Sequence, residues 1–367
     1  MIGGPRVSVR GLTDVETVMT DQQLLDSFDS QIAWSAKLGS AFYELLHRVL
    51  LEDFQKSGPT YALLHDWPGN PIDDALTLRL AGALNCLVRQ DKAPRLSPLW
   101  PNAETAPEVL HAALVETLET HAGFVRTFLT HHVQTNETGR SAILLPGMIE
   151  IARVTQKPLA LLEIGASAGL NLIWDRFRYD LGGTPWGPAD APVTLTLNWE
   201  GPKPDLGLVP DIASRAGCDI SPLDIYDPAE MDRAIAYIWP DMPERIARFE
   251  AAAALARAAH VTVTQAPADQ WLQTRLEARP DGAVTVLYHS IMWQYMPRTA
   301  QDRIKSLMAD HGAGATMDAP LAWLAFEPPQ ALGLPELRLT LWPGGTTRRL
   351  AYCHPHGKDL KWTDDLL

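Results

Sequence analysis

PLALLEIGASAGLNLIWDRFR, residues 158–178, decides the fold. Its apolar run 159–162 ends in Glu163, passes through Gly165-Ala166-Ser167-Ala168-Gly169 and enters Leu170-Asn171-Leu172-Ile173-Trp174. That order predicts a buried strand, a turn of small residues and the opening of a helix. At such a point an α/β sheet turns backbone N–H groups toward a ligand. Two chemistries fit the string. One is a nucleotide-like cofactor resting on the glycine loop; the other is a Gly-x-Ser-x-Gly elbow that presents Ser167 as a nucleophile.

The texture of the chain differs on the two sides of this stretch. Upstream, Phe28, Ile32, Ala36, Phe42, Leu45, Leu46 and Val49 recur at helical spacing behind the opening Thr20-Asp21-Gln22-Gln23. Further helices are expected from Pro71-Ile72-Asp73-Asp74 and from Ala106-Pro107-Glu108, with Pro/Gly-rich breaks between them. Residues 1–150 therefore read as an all-helical N-terminal domain or cap. Downstream, apolar runs at 159–164, 261–264, 284–288 and 321–326 alternate with helical patterns at 168–177, 231–259 and 299–311. Strands separated by helices predict a mostly parallel sheet. Residues 337–342 and 348–353, joined by Pro343-Gly344-Gly345, predict an antiparallel hairpin at its end. Residues 151–367 are read as a class I methyltransferase-like α/β domain. The Gly/Pro-rich segment near 180–211 is an insertion, expected as a ribbon or loop over the ligand face.

Bulk properties narrow the function. A chain of 367 residues exceeds what one core usually holds, and 46% hydrophobic with 20% charged residues is ordinary globular composition. A formal charge of −13 with no basic cluster argues against nucleic acid as a partner. Cys86, Cys218 and Cys353 are scattered, outside any Cys-x-x-Cys pair, which argues against a disulfide framework. No apolar leader and no run of eighteen apolar residues is present, so a cytoplasmic protein with no membrane partner is expected. Composition leaves the oligomeric state open.

The polar residues at the strand ends give the cofactor reading its substance. Glu163 would meet the methionine end of S-adenosylmethionine, while Gly165, Ser167 and Gly169 let the backbone approach it. Asp219, after a second strand, could take the ribose hydroxyls. Asp269 follows the third strand near the adenine, and His289-Ser290 closes the fourth at the same rim. The string argues against a dinucleotide fold, because G-x-G-x-x-G is absent: Ser167 and Leu170 hold two of its glycine positions. A hydrolase could draw on Asp318 and His354, but the upstream half lacks the strands and the His-Gly-Gly segment of that fold.

Gln134-Thr135-Asn136-Glu137-Thr138-Gly139-Arg140-Ser141, the Gly165 loop with its flanks, and Gly217-Cys218-Asp219-Ile220-Ser221-Pro222-Leu223-Asp224 resemble an uncharacterised bacterial family known as a domain of unknown function. Its members look like class I S-adenosylmethionine-dependent methyltransferases with a helical N-terminal extension. The resemblance covers about residues 28–328 and implies S-adenosylmethionine as cofactor; it implies no substrate.

Candidate roles follow. For an acceptor that must lose a proton, His289 is the expected base and Glu137 the second choice. Asn136, Arg140 and Tyr295 are the expected substrate contacts, with Arg140 able to clamp a carboxylate. A structural reading competes for the 134–140 segment, in which Glu137 and Arg140 pair locally and brace a junction. His131-His132 and Cys353-His354-Pro355-His356 lack a matching ligand pair, so no metal site is assigned. The expected function is methyl transfer to a small-molecule acceptor, with a non-catalytic ligand-binding protein as the alternative and a serine hydrolase behind it.

Overall fold

The computed structural model describes residues 21–134, 136–329 and 334–367; Thr20 and Thr135 lie outside them. These residues divide into two compact units, one up to Val133 and one from Gln134 onward. In the first, every regular element among the described residues is helical: α1 (Asp21–Leu38), α2 (Ala41–Gln55), α3 (Pro59–Leu64), α4 (Leu76–Arg89), α5 (Pro107–Thr120) and α6 (Ala122–Leu129). The periodic run read from Phe28 to Val49 is two helices rather than one. Gly39, at φ +84°, ends α1, and the Ser40 side chain caps α2 by accepting from the Tyr43 N–H. Leu24, Phe28, Leu46, Leu50, Leu80 and Leu84 form the fully buried core. Each contributes about 1.5–3 kcal/mol by leaving water.

The second unit is a mixed α/β structure on one eleven-stranded sheet. Its strands are β1 (Leu159–Ile164), β2 (Arg178–Leu181), β3 (Pro185–Trp186), β4 (Thr194–Glu200), β5 (Ile212–Asp219), β6 (Val263–Gln265), β7 (Val284–Ser290), β8 (Leu321–Glu327), β9 (Glu336–Trp342), β10 (Thr346–Cys353) and β11 (Asp359–Leu366). Their spatial order is β3-β2-β4-β11-β10-β9-β8-β7-β1-β5-β6. The run β6-β5-β1-β7-β8 is parallel throughout, and β9 returns antiparallel to β8. The helices are α7 (Ser141–Thr155), α8 (Pro228–Ala236), α9 (Pro243–Ala258), α10 (Ala268–Glu277) and α11 (Arg298–Ala313).

Strand alternation assigns the two faces. Leu159 and Leu161 of β1, with Val284, Val286 and Tyr288 of β7, pack into the core shared with α7 and α9. Leu162, Ile164 and Leu287 pack on the other face with Leu272, Ile304 and Met308 of α10 and α11. Both faces are covered, which is why β1 and β7 are continuously buried.

Three expectations are corrected. The hairpin β9–β10 does not end the sheet, because β11 pairs antiparallel with β10 and then parallel with β4. The 180–211 segment supplies β3, β4 and the end of β2 at that far edge of the sheet, rather than a loop over the ligand face. Its alternating Leu195 and Leu197 are buried, and Trp199 stacks on Trp362 of β11 at 5.5 Å. The helical pattern over 231–259 is α8 and α9, separated at Pro240 and restarted at Pro243. Among the described residues, no helix is long and apolar enough to cross a membrane.

Candidate functional site

The β1 loop is built from left-handed backbone: Gly165, Ser167 and Gly169 stand at φ +66°, +50° and +72°. A Cβ at Gly165 would meet the Met292 side chain at 2.8 Å, and one at Gly169 would meet Val261 at 2.7 Å. Backbone conformation favours glycine at both, and at Gly169 the stiff Val261 side chain leaves no room for a Cβ. Four N–H groups along the loop are satisfied within the chain. Ala166 N–H donates to Cys218 O, Ser167 N–H to Asp219 Oδ2 at 2.9 Å, Gly169 N–H to Ala166 O, and Leu170 N–H to Asn136 Oδ1. The Ser167 hydroxyl, by contrast, is buried without a hydrogen-bond partner. Beyond the loop, the expected helix is a kinked 3-10 helix, Leu170–Arg176.

Asp219 ends β5 beside this loop. Its Oδ2 holds Ser167 N–H and its Oδ1 holds Ser221 N–H, both at 2.9 Å. A carboxylate offers about four lone-pair sites, so two remain.

The residues around 134–140 strap the same rim. Gln134 Nε2 donates to Ser221 O, and Asn136 caps the 3-10 helix through Leu170. Glu137 accepts from Gly139 N–H at 3.1 Å and from Arg245 Nη2 of α9 at 2.6 Å, with His356 Nδ1 at 3.5 Å. Burial opposes its charge, but Arg245, His356 and Arg140 outweigh that and hold the carboxyl well below the ordinary range. Arg140 donates to Pro355 O and to Ser290 O at 3.0 Å. Its burial lowers the guanidinium pKa, and the charges of Glu137 and Glu327 oppose this.

His289 and Glu327 lie on the opposite face of the sheet, toward α11. His289 is 1% exposed. Its Nδ1 meets Glu327 Oε1 at 2.7 Å, and its Nε2 accepts from Trp323 Nε1–H at 3.0 Å. This pattern fixes the neutral Nδ1–H tautomer and leaves neither nitrogen open. Its ring stacks on Trp293 at 5.0 Å. Glu327 Oε1 also accepts the Met292 N–H, while Oε2 is buried without a partner.

Glu163 faces the α7 side. It is buried, and Tyr288 Oη donates to its Oε2 at 3.3 Å. Burial, with the charge of Asp219 adding to it, pushes this carboxyl well above its usual range. In the unfolded chain the group ionises at an ordinary pKa, so raising the pH draws the equilibrium toward unfolding until the folded group also ionises. Glu163→Gln is therefore expected to stabilise the protein at pH 8 and to have little effect near pH 4. Urea denaturation of both proteins at the two pH values checks this; an equal difference at both would contradict it.

The structure thus brings Glu163, Ser167, Asp219 and Asn136 together around the β1 loop, and joins Arg140 to Ser290 at the end of β7. It does not bring Asp269 into that group, and Tyr295 lies outside the loop but near enough to Arg140 to act on its charge. Asp269 lies in the first turn of α10, with Arg303 Nη1 3.4 Å away, and Tyr295 is 72% exposed in the turn after β7. Ser167 has no base on its hydroxyl, so the nucleophile-elbow geometry is absent. Asp318 is a 94% exposed side chain near Lys157. Among the described residues, no three His, Cys, Asp or Glu side chains gather to hold a metal. Sequence reasoning missed Arg245, His356 and Glu327. Glu327 had a signal: it ends an apolar strand just as Asp219 does, before Pro328-Pro329. Arg245 and His356 had none, since only tertiary structure brings them to Glu137.

No curated protein and no solved structure matches this chain. A family model does, over residues 26–362, and the chain belongs to that family, described as "uncharacterized protein conserved in bacteria (DUF2332)".

Proposed function

We propose that this member of the family binds S-adenosylmethionine at the β1 loop and transfers its methyl group to a small or medium-sized acceptor. The observation that carries this reading is the position of the loop. It leaves β1 at the carboxyl edge of the parallel run, where β5 and β6 lie to one side and β7 and β8 to the other. Ligands of open α/β sheets bind in the crevice at such a reversal. The run β6-β5-β1-β7-β8 with an antiparallel neighbour supports a class I methyltransferase-like fold. The β11 strand and the 178–200 strands are additions to it.

The residues present fit this cofactor. Four loop N–H groups are spent within the chain, so the loop is poorly equipped for a phosphate, and S-adenosylmethionine carries none. The orphaned Ser167 hydroxyl and the spare acceptor sites of Asp219 are what a ribose or amino-acid moiety would use. The Met292 side chain against Gly165 is flexible and must swing aside for a ligand to lie there. When bound, the cofactor supplies an electrophilic methyl carbon on sulfur, so the protein mainly has to orient the acceptor and exclude water. His289 and Glu137 are already committed to Glu327, Trp323 and Arg245, which favours an acceptor that needs neither of them as a base. The same commitment favours a second reading, ligand binding without turnover.

Calorimetric titration of S-adenosylmethionine and S-adenosylhomocysteine tests the cofactor. Micromolar binding is expected, weakened about tenfold in Ser167→Ala, the loss of one hydrogen bond to the ligand. Absence of heat and of any thermal shift with both ligands would remove the proposal. Binding with no consumption of the methyl donor across acceptor panels would leave the second reading.

A further inference from the structure

We propose that the cavity beside Glu327 binds an organic ammonium ion. Its volume is about 450 Å³, and Trp293, Met296, Arg298, Gln301, Glu327 and Pro328 are among the residues that line it. That size suits a small organic molecule. Glu327 spends Oε1 on two donors, His289 Nδ1–H and the Met292 N–H, while Oε2 is buried with no partner. A buried acceptor without a donor is costly, and a ligand that donates a hydrogen bond relieves that cost.

Charge selects the class of donor. His289 accepts from Trp323 at Nε2, so its imidazole is neutral and does not balance the carboxylate. Among the described residues, no Lys or Arg nitrogen lies within ion-pair distance of Glu327; His289 is its contact partner, and the buried Arg140 guanidinium feels its charge from farther away. Arg140 spends its donors on the Ser290 and Pro355 carbonyls and leaves Oε2 unpaired, and Arg298, which also lines the cavity, is solvent-exposed, so water and salt screen its charge. A cation against an indole gains further, and Trp293 supplies one. The turn carrying Trp293 is held in advance, because Gln301 Nε2 donates to the Trp293 and Met296 carbonyls. An ammonium nitrogen held on a carboxylate has no free lone pair. It anchors the ligand, and any methyl acceptor is a different atom. Only the cavity's role as the acceptor side rests on the methyl-transfer reading; the binding itself does not.

The test uses the full chain without S-adenosylmethionine, probed with benzylamine, benzyl alcohol and phenylacetate by calorimetry and saturation-transfer NMR at pH 7. Benzylamine is expected to bind about tenfold more tightly than either analogue. Glu327→Gln keeps an oxygen for His289 and Met292 but turns an NH₂ toward the orphaned position. It is expected to abolish the amine preference while melting like the wild type, and Trp293→Leu to weaken benzylamine. Equal affinity for amine and alcohol, no binding of any probe, or an unchanged amine preference in Glu327→Gln would overturn the proposal. Amine binding in a protein that ignores S-adenosylmethionine would keep the pocket and discard the transfer reading. The reverse pattern would do the opposite.

Discussion

Arg245→Met lowers the stability of the chain by about 3–5 kcal/mol, the cost of stripping one partner from a buried ion pair. Glu137 is 6% exposed and Arg245 14%, with 2.6 Å between Oε2 and Nη2. With methionine in place of the guanidinium, burial of the carboxylate is opposed only by the more distant His356 and by Arg140. The loss shrinks toward acid, because a carboxyl that takes a proton no longer needs a cation. Glu137→Gln/Arg245→Met recovers most of the stability, since it removes both charges together. Denaturant melts of the single and double variants at pH 7 and pH 4.5 measure all of this. A single variant within experimental error of the wild type at pH 7 would show that the pair does not hold the 134–140 strap.

The second large effect is an acid sensitivity in the helical unit. His47 lies fully buried on α2, and its Nδ1–H donates to Tyr43 O at 2.6 Å. Burial depresses its pKa to about 4; a protonated ring would gain a bond to the Thr77 carbonyl, but not enough to offset desolvation. The sign follows from proton counts. Between pH 6.5 and 4 the unfolded chain takes up a proton that the folded chain refuses, so stability falls with pH across that window. The total is about 3 kcal/mol, from 1.36 kcal/mol per pKa unit. Stability of the wild type relative to His47→Leu is therefore expected to drop by that amount from pH 7 to pH 4. A constant difference between the two proteins would exclude the histidine as the cause.

Local chemistry was legible in the sequence, and pairing at a distance was not. The Gly165 loop could be read because left-handed backbone and small residues are properties of the segment itself. The helical unit could be read because its apolar spacing has a period of 3.6. Asn136 was noticed for its polarity, but its role as the cap on Leu170 depends on a fold that lays the strap across the 3-10 helix. His289 looked like a free base because it ends a strand. Trp323 and Glu327, on a strand more than thirty residues away, occupy both of its nitrogens. β11 escaped notice because its alternation is short, with Leu360 and Trp362 buried between exposed Asp359 and Lys361, and its pairing with β10 and β4 defines it.

The union of β4 with β11 sets an order of events during synthesis. β2 and β4 are made between β1 and β5, yet among the described residues β4 joins the rest of the sheet by pairing with β11 at residues 359–361. A ribosome delivers the chain from its N-terminus, so the backbone edge of β4 waits unpaired while some 160 further residues are translated. Pairing that bridges so long a stretch is slow to form. Ending translation before residue 359 would leave two defects in one product: an open β10 edge and an open β4 edge, each able to recruit another nascent copy.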